Sequence, residues 1–244
     1  SGLVGSEMCI RDRATMLELI HYLEQIDTTI LLFFNGMHNE LFDYFMFLVS
    51  NRFTWVPFYA AFIFVMIKNF HWKVTIVTIL AVALLVLLCD QTASGLLKPL
   101  VRRLRPSNLD NSISYMVHVV DGYRGGRYGF PSSHSANSWG IAIFAMYLVR
   151  NRKLSIFLAF WAALVTYSRA YLGVHYPGDL LVGFFIGFVM ASIVFYAYNR
   201  WARSYTQEFQ NGKKNIQYDY LPISVGLISI ATMFTTSLIM LFTS

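Results

Sequence analysis

The sequence predicts an all-helical protein that crosses a lipid bilayer about six times, as a polytopic bundle with an amphipathic N-terminal region at the membrane interface. Hydrophobic residues make up 56% of the 244 positions and charged residues only 13%, whereas an average soluble domain is about 25% charged. Six apolar runs approach the roughly 20 residues that a helix needs to cross a bilayer. The alternating pattern of a membrane β-barrel is absent, so the spans are expected to be helices.

The N-terminal region differs from the rest of the chain. Residues 1–15, SGLVGSEMCIRDRAT, are polar and aperiodic. They resemble a translated sequencing adapter, so we expect a non-native segment there and a natural start at Met16. Residues 16–52 carry too many acidic side chains for a span, so two amphipathic helices at the membrane interface, broken near Asn35 and Gly36, are predicted.

Residues 53–244 are expected to form the transmembrane domain. The six predicted spans are 54–67, 74–97, 135–149, 154–172, 180–198 and 220–242. The fifth span contains GFFIG at 183–187, a spacing of small residues that favours close helix packing within one bundle. A polar linker is predicted over 199–219, between the last two spans.

The net charge of +6 is expected to serve anionic head groups or an anionic substrate, with no nucleic acid as partner. Basic residues are divided nine to eight between the two faces of the predicted bundle, so the positive-inside rule hardly separates them. On the face with eight, they crowd around two histidines. We assign that face to the periplasm or exterior of a bacterial inner membrane. The two cysteines, Cys9 and Cys89, support neither a disulfide framework nor a thiolate metal site.

Three sequence blocks are expected to meet on that outer face. The block KPLVRRLRP begins at Lys98, the block GFPSSHS surrounds His134, and the block SRAYLGVHYPGD contains His175. Each block adjoins the end of a predicted span, so the topology places all three at one depth. Basic residues gathered in this way repel one another near apolar surroundings unless an anion binds between them.

A phosphate group fits this set of residues. Arginine binds phosphate through paired donors, lysine supplies a point charge, and a helix that starts at Ser132 to Ser135 offers free backbone N–H groups. Two histidines beside a phosphate suggest that one attacks phosphorus and the other protonates the leaving oxygen. His175 and Asp179 are four residues apart, so the carboxylate could orient the imidazole ring if the turn is helical.

The spacing Lys-x6-Arg-Pro, then Pro-Ser-x-His, then Ser-Arg-x5-His-x3-Asp resembles the three-part signature of the type 2 phosphatidic acid phosphatase family. That family also includes vanadium haloperoxidases and bacterial undecaprenyl pyrophosphate phosphatases. One position departs from the usual Pro-Ser-Gly-His, because Ser133 replaces the glycine. The matching positions are Lys98, Arg105, Pro106, Pro131, Ser132, His134, Ser168, Arg169, His175 and Asp179.

The resemblance implies a phosphatase that needs no metal and no cofactor. His175 would form a phosphohistidine and Asp179 would orient it, while His134 would act as acid and then as base. The phosphate oxygens would be held by Lys98, Arg105, Ser132, Ser133 and Arg169. The expected substrate is a membrane lipid phosphate or diphosphate, with undecaprenyl pyrophosphate as the leading candidate and lipid A phosphate, phosphatidylglycerol phosphate and phosphatidic acid as alternatives.

Other interpretations of the same residues stay open at this point. His175 and Asp179 are spaced as metal ligands, with His118 or Asp121 as further partners, although a divalent cation fits poorly beside so many basic residues. A transporter or anion-binding protein could use the pocket without turnover, but no inverted repeat supports one. Asp90, within the second span, could support the structure or belong to the pocket, and the glycine-rich loop 122–130 could be a lid or a tight turn.

Overall fold

The structure is a computed structural model that describes residues 2–210 and 218–243. In that part of the chain it consists of eight helices, joined by short turns and one long loop, with a single isolated β-bridge between Leu104 and Tyr128. The helices are α1 Gly2–Asn35, α2 Glu40–Ser50, α3 Val56–Asn69, α4 Trp72–Val101, α5 Ser133–Val149, α6 Arg152–Tyr171, α7 Pro177–Gln210 and α8 Leu221–Thr243. The all-helical prediction is confirmed.

The chain is a polytopic helical membrane protein. Among the described residues, α4, α6, α7 and α8 are long and apolar enough to cross a bilayer. A fifth span results if α2 and the segment Arg52–Asn69 are one span bent by 68°. The remaining predicted span corresponds to α5, whose 17 residues measure only about 26 Å.

Local sequence explains where several helices begin and end. Asn39, Ser132 and Asn151 precede α2, α5 and α6, and each side chain accepts a hydrogen bond from a backbone N–H of the first helical turn. Helix α7 starts at Pro177, which needs no N–H partner there. Helix α1 ends at Asn35, and the chain resumes helical structure at Glu40.

Helix α5 lies at the centre of the bundle and packs against α4, α6 and α7. Two glycines permit the close approach of α7. A Cβ atom at Gly183 would lie 2.5 Å from the carbonyl oxygen of Ser132, and one at Gly187 would lie 2.5 Å from that of Ala136. The prediction that GFFIG packs within one bundle is confirmed. The first turn of α5 is thereby fixed against the start of α7.

The predicted linker over 199–219 is partly helical, because α7 continues to Gln210. Residues 211–217 of that linker lie outside the described residues. Helix α4 also differs from a regular helix, since residues 91–97 form a π-helical segment just before Lys98. Extra residues per turn rotate the end of the helix, and such segments are frequent at functional sites.

Candidate active site

The three sequence blocks meet at one end of the bundle. The Lys98 ammonium donates to the hydroxyl of Ser133 over 2.9 Å, which joins the end of α4 to the start of α5. The backbone N–H of Ser132 donates to the carbonyl of Asp179 over 3.0 Å, which joins the start of α5 to α7. The predicted convergence of these residues is therefore present in the structure.

The loop between α4 and α5 fixes Arg105 inside this site. Its backbone N–H donates to the carbonyl of Arg127 over 3.1 Å, and its guanidinium donates to the carbonyl of Val174 over 3.0 Å. The same nitrogen, Nη1, lies 3.0 Å from Nε2 of His175. Arg105 is buried, and burial followed by the charge of Arg169 lowers its pKa to about 10. The group therefore keeps its charge at neutral pH.

His175 is almost completely buried at this end of the bundle, with only 1% of its surface exposed. Because Arg105 can only donate, Nε2 of His175 accepts, and the ring proton belongs on Nδ1. That nitrogen faces Oδ2 of Asp179 at 3.4 Å but makes no hydrogen bond of good geometry. Burial holds the pKa of His175 well below its ordinary value, and the charges of Arg105, Arg169 and Lys98 lower it further. The imidazole is thus neutral, and its Nε2 carries the lone pair that accepts from Arg105.

Asp179 is held by contacts that the sequence did not reveal. One oxygen accepts from the backbone N–H of Tyr176 over 3.0 Å, and the other accepts from Arg103 over 2.9 Å. Arg103 also pairs with Asp27 of α1 over 2.7 Å, and Asp27 accepts from the N–H of Gly178 over 2.7 Å. We call Asp27, Arg103 and Asp179 the ion-pair chain. From the sequence, Arg103 is expected to contact a head group or a substrate diphosphate, and no local signal links it to Asp27, which lies 76 residues earlier.

Arg169 comes from the end of α6 and is 3% exposed. Its guanidinium donates to the hydroxyl of Ser50 at the end of α2, and to the hydroxyl of Tyr123 over 3.3 Å. Burial acts to raise the pKa of Tyr123, but the charge and hydrogen bond of Arg169 outweigh it and lower that pKa. The loop 122–130 thus contributes an aromatic ring that faces the site.

The start of α5 supplies the remaining predicted residues. Ser132 caps the helix by accepting from the N–H of Ser135 over 3.4 Å. Ser133, which stands where the family usually has glycine, bonds to Lys98 and lies 2.6 Å from the hydroxyl of Ser94. Ser94 in turn donates to Asp90 over 3.3 Å, so Asp90 joins the site through this serine. His134 follows directly in the first turn of α5, where it lies within electrostatic range of Arg169, Arg105 and Lys98.

The site holds buried positive charge that lacks acidic partners. Among the described side chains, neither Arg105, Arg169 nor Lys98 forms an ion pair with a carboxylate. The Nε atoms of both arginines are buried without a hydrogen-bond partner. A buried donor left in this state is costly. An anion with several oxygens, such as a phosphate, satisfies these donors. We call Lys98, Arg105, Ser133 and Arg169 the phosphate pocket.

The residues considered as metal ligands are not brought together. His118 lies 2.8 Å from Asp43, away from His175, and Asp121 lies in a separate turn of the loop. Of the described residues, the group that could share one ion is His38, Asp43 and His118. His175 and Asp179 stand among the three cations of the phosphate pocket, which disfavours a divalent ion at that position.

Fold and site together define a class: a multi-pass helical membrane protein with a buried, histidine-containing pocket for a phosphate group. The family comparison agrees with this class. The model of the PAP2 superfamily matches residues 74–203, which include every residue predicted for the site. The chain belongs to the PAP2 superfamily, and it is a membrane lipid phosphatase. The predicted resemblance to this family is confirmed.

The relatives extend over most of the chain. It is 51% identical over 169 residues to a lipid A 4'-phosphatase of Bacteroides thetaiotaomicron, which covers 69% of this chain and 75% of that protein. It is 37% identical over 186 residues to a lipid A 4'-phosphatase of Porphyromonas gingivalis, with coverage of 75% and 78%. The crystal structure of Aquifex aeolicus LpxE has the same fold, with a TM-score of 0.53 at 21% identity over 68% of this chain and 93% of that chain.

Proposed function

We propose that this phosphatase removes a phosphate group from lipid A, with the 4'-phosphate as the first candidate. The observation that carries the proposal is the 51% identity to a lipid A 4'-phosphatase over 69% of the chain. The family resemblance by itself favours undecaprenyl pyrophosphate, with lipid A phosphate among the alternatives. The two lipid A 4'-phosphatases support the alternative better, so undecaprenyl pyrophosphate becomes a competing outcome of the test.

The geometry supports a mechanism that begins with phosphate binding. The terminal phosphate enters the phosphate pocket, where its oxygens accept from Arg105, Arg169 and Lys98. These donors include the two unpartnered Nε atoms. The first-turn N–H groups of α5 can donate as well, apart from that of Ser135, which Ser132 caps. Developing charge on the phosphorus oxygens is stabilised by groups that are already in place, as phosphoryl transfer requires.

His175 then acts as the nucleophile. Its Nε2 lone pair attacks phosphorus, the bond from phosphorus to the lipid oxygen breaks, and a phosphohistidine forms. Asp179 faces the Nδ1 proton at 3.4 Å and stabilises the positive charge that the ring acquires. His134, which takes up a proton from solvent when the phosphate dianion neutralises the surrounding cations, gives that proton to the departing lipid oxygen. The lipid alcohol leaves while the phosphate stays on the enzyme.

Water completes the reaction. His134, now neutral, takes a proton from a water molecule that attacks the phosphohistidine. The bond between Nε2 and phosphorus breaks, and its electron pair returns to His175. Inorganic phosphate is released and the starting protonation state is restored. Apart from water, each group that acts in these steps is a side chain of the protein.

We further propose that the phosphate pocket opens toward the periplasm or exterior, with residues 16–52 lying at that interface. The exposed residue Ser112 lies on the pocket side and His71 at the opposite end of the bundle. We place single cysteines at these positions in a Cys9→Ser and Cys89→Ser background. Their labelling by a membrane-impermeant thiol reagent is compared in cells with a permeabilised outer membrane. Ser112→Cys should be labelled and His71→Cys protected. The reverse pattern places the site in the cytoplasm.

The function is tested with purified, detergent-solubilised protein and a panel of lipid phosphates in the presence of EDTA. The panel contains lipid A that carries its 4'-phosphate, undecaprenyl pyrophosphate, phosphatidylglycerol phosphate and phosphatidic acid. We expect the highest kcat/KM on lipid A, with a product that has lost the 4'-phosphate. The His175→Ala protein serves as the matched blank. A clear preference for undecaprenyl pyrophosphate would reject the lipid A proposal and keep the phosphatase chemistry.

A further inference from the structure

A second cluster of polar side chains lies on the same end of the bundle but outside the phosphate pocket. His38 belongs to the turn between α1 and α2, Asp43 to the first turns of α2, and His118 to the long loop. His118 Nε2 lies 2.8 Å from an oxygen of Asp43. The rings of His38 and His118 stack with centroids 3.6 Å apart and planes at 4°. One ligand atom from each residue lies within 4.8 Å of the others.

Two residues hold this cluster from behind. The hydroxyl of Tyr171 donates to the second oxygen of Asp43 over 2.8 Å. The side chain of Asn35, which is 1% exposed, accepts from the backbone N–H of His118 over 2.8 Å and donates to its carbonyl over 3.0 Å. Metal-binding side chains are commonly oriented by such partners in the layer behind them. Both Asp43 and the backbone of His118 are therefore fixed before any ligand arrives.

The surroundings of the cluster attract cations. Asp43 lines an adjoining cavity of about 520 Å³, which also contains Glu40 and Asp121. In the described part of the chain, no basic side chain lines this cavity. The phosphate pocket has the opposite character, because it gathers cations without carboxylate partners. At this end of the bundle, electrostatics thus favour a divalent cation at the cluster of His38, Asp43 and His118 and disfavour one at His175.

We propose that His38, Asp43 and His118 bind one divalent transition-metal ion of the zinc class. Two imidazole nitrogens and one carboxylate oxygen are ligands that zinc accepts readily, and water can occupy the fourth position. The ion replaces the proton between His118 and Asp43, which goes to solvent. Those two ligand atoms then separate to about 3.4 Å, as tetrahedral coordination at bond lengths near 2.1 Å requires. His38 is exposed and turns out of the stack to complete the site.

The ion would add a link between two parts of the chain that already meet through Asn35 and the backbone of His118. His38 and Asp43 belong to the α1–α2 region, whereas His118 belongs to the long loop between α4 and α5, which also carries Tyr123. Tyr123 contacts Arg169 of the phosphate pocket. The metal therefore has a structural role that supports the loop, and it touches neither substrate nor His175.

The test uses full-length protein without a polyhistidine tag, treated with EDTA and then freed of chelator by gel filtration. Co²⁺ is titrated as a spectroscopic probe, and bound Zn²⁺ is measured in parallel by elemental analysis. We expect one equivalent of metal on the unmodified protein, with the visible bands of four-coordinate Co²⁺ and an increase in Tm. The His38→Ala protein should bind no stoichiometric metal, and its Tm should not increase when metal is added. His21→Ala removes another exposed histidine, 2.9 Å from Gln25, and should keep both the bound metal and the increase in Tm.

Three results would overturn the proposal: no stoichiometric binding to the unmodified protein, equal binding by His38→Ala, or equal loss in His21→Ala. Phosphate release from lipid A is measured on the same preparations with EDTA present. Turnover by His38→Ala at the unmodified rate supports a site separate from catalysis. Failure of metal binding while turnover persists rejects the metal site alone, so it is distinguishable from failure of the proposed phosphatase function.

Discussion

Arg103 and Arg105 are two residues apart in the chain, yet they lie in opposite electrostatic environments. Arg103 sits between Asp27 and Asp179 and stacks over the ring of Tyr176 at 3.9 Å, so its charge is fully compensated. Arg105 contacts a neutral imidazole and a carbonyl, and its Nε has no partner. A buried cation that lacks an anion marks the place where a ligand must bring one, whereas a compensated cation belongs to the framework.

The largest loss of activity is expected when either the proposed nucleophile, His175, or the proposed acid, His134, is removed. His175→Ala and His134→Ala should each lower phosphate release by at least about 10³-fold, because each removes a group that makes or breaks a bond. Phosphate release from lipid A under saturating conditions measures this. Membrane insertion and Tm of the purified proteins are the controls. Near-normal turnover by either variant would show that its histidine has been given the wrong role.

The next largest effect separates the two arginines directly. Arg105→Gln should lower kcat/KM by about 10²- to 10³-fold, because it removes a donor to the transferring phosphate. Arg103→Gln should lower it by only about 10-fold, because it acts through the orientation of Asp179. Steady-state kinetics on one lipid substrate compare the pair. Equal losses in the two variants would contradict the assignment of different roles to them.

Asp27 provides a finer test of the ion-pair chain. Asp27→Asn keeps the size of the side chain but removes the charge that pairs with Arg103. We expect a loss in kcat smaller than that of Arg103→Gln, with KM nearly unchanged, because Asp27 lies one contact further from His175. Glu24→Gln, at an exposed position of the same helix, is the matched control. A change in KM alone would argue for a role in lipid binding instead.

The pH dependence of the reaction sharpens the comparison further. In the proposed mechanism neutral His175 is the active form, so activity should fall as the pH drops through the pKa of His175. Burial and the charges of Arg105, Arg169 and Lys98 lower that pKa, so the acidic limb should lie below the ordinary histidine value of about 6.5. Arg105→Gln removes a positive neighbour and should move the limb to higher pH. If the acidic limb of the pH–activity profile lies at the same pH in Arg105→Gln, a group other than His175 determines that limb.

Chelation should have the smallest effect. Because every step of the proposed mechanism uses side chains of the phosphate pocket and two histidines, exhaustive EDTA treatment should leave kcat unchanged at a temperature well below Tm. Vanadate, which resembles five-coordinate phosphorus, should still inhibit the treated enzyme. The assay is repeated after Zn²⁺ or Mg²⁺ is restored. Activity that disappears with EDTA and returns with metal would revive a metal-dependent mechanism at His175.

Much of the fold follows from the sequence, because apolar runs and few charges leave helices in a bilayer as the solution that satisfies the backbone. The predicted gathering of Lys98, Arg105 and His175 also follows, since helix ends at one membrane face must lie at a similar depth. The small residues at 183–187 indicated correctly that α7 packs closely within the bundle. These features depend on composition and spacing, which can be read directly from a single sequence.

Other features depend on partners that are distant in sequence. The pattern RRLR cannot distinguish Arg103 from Arg105, because the difference lies in Asp27, which belongs to the N-terminal helix. The same holds for Ser50 and Tyr123, which meet Arg169 from two separate elements. The stack of His38 on His118 likewise joins two segments without a common motif. Such pairs become visible only once tertiary contacts are known.

The central claim is that the uncompensated cations of the phosphate pocket place a lipid phosphate against His175. A rapid-quench experiment with lipid A labelled with ³²P at the 4' position tests it most directly. We predict a labelled enzyme whose bond is stable to alkali and labile to acid, with the label mapped to His175 by mass spectrometry and lost in His175→Ala. Label that is labile to alkali, or that persists in His175→Ala, would contradict the account.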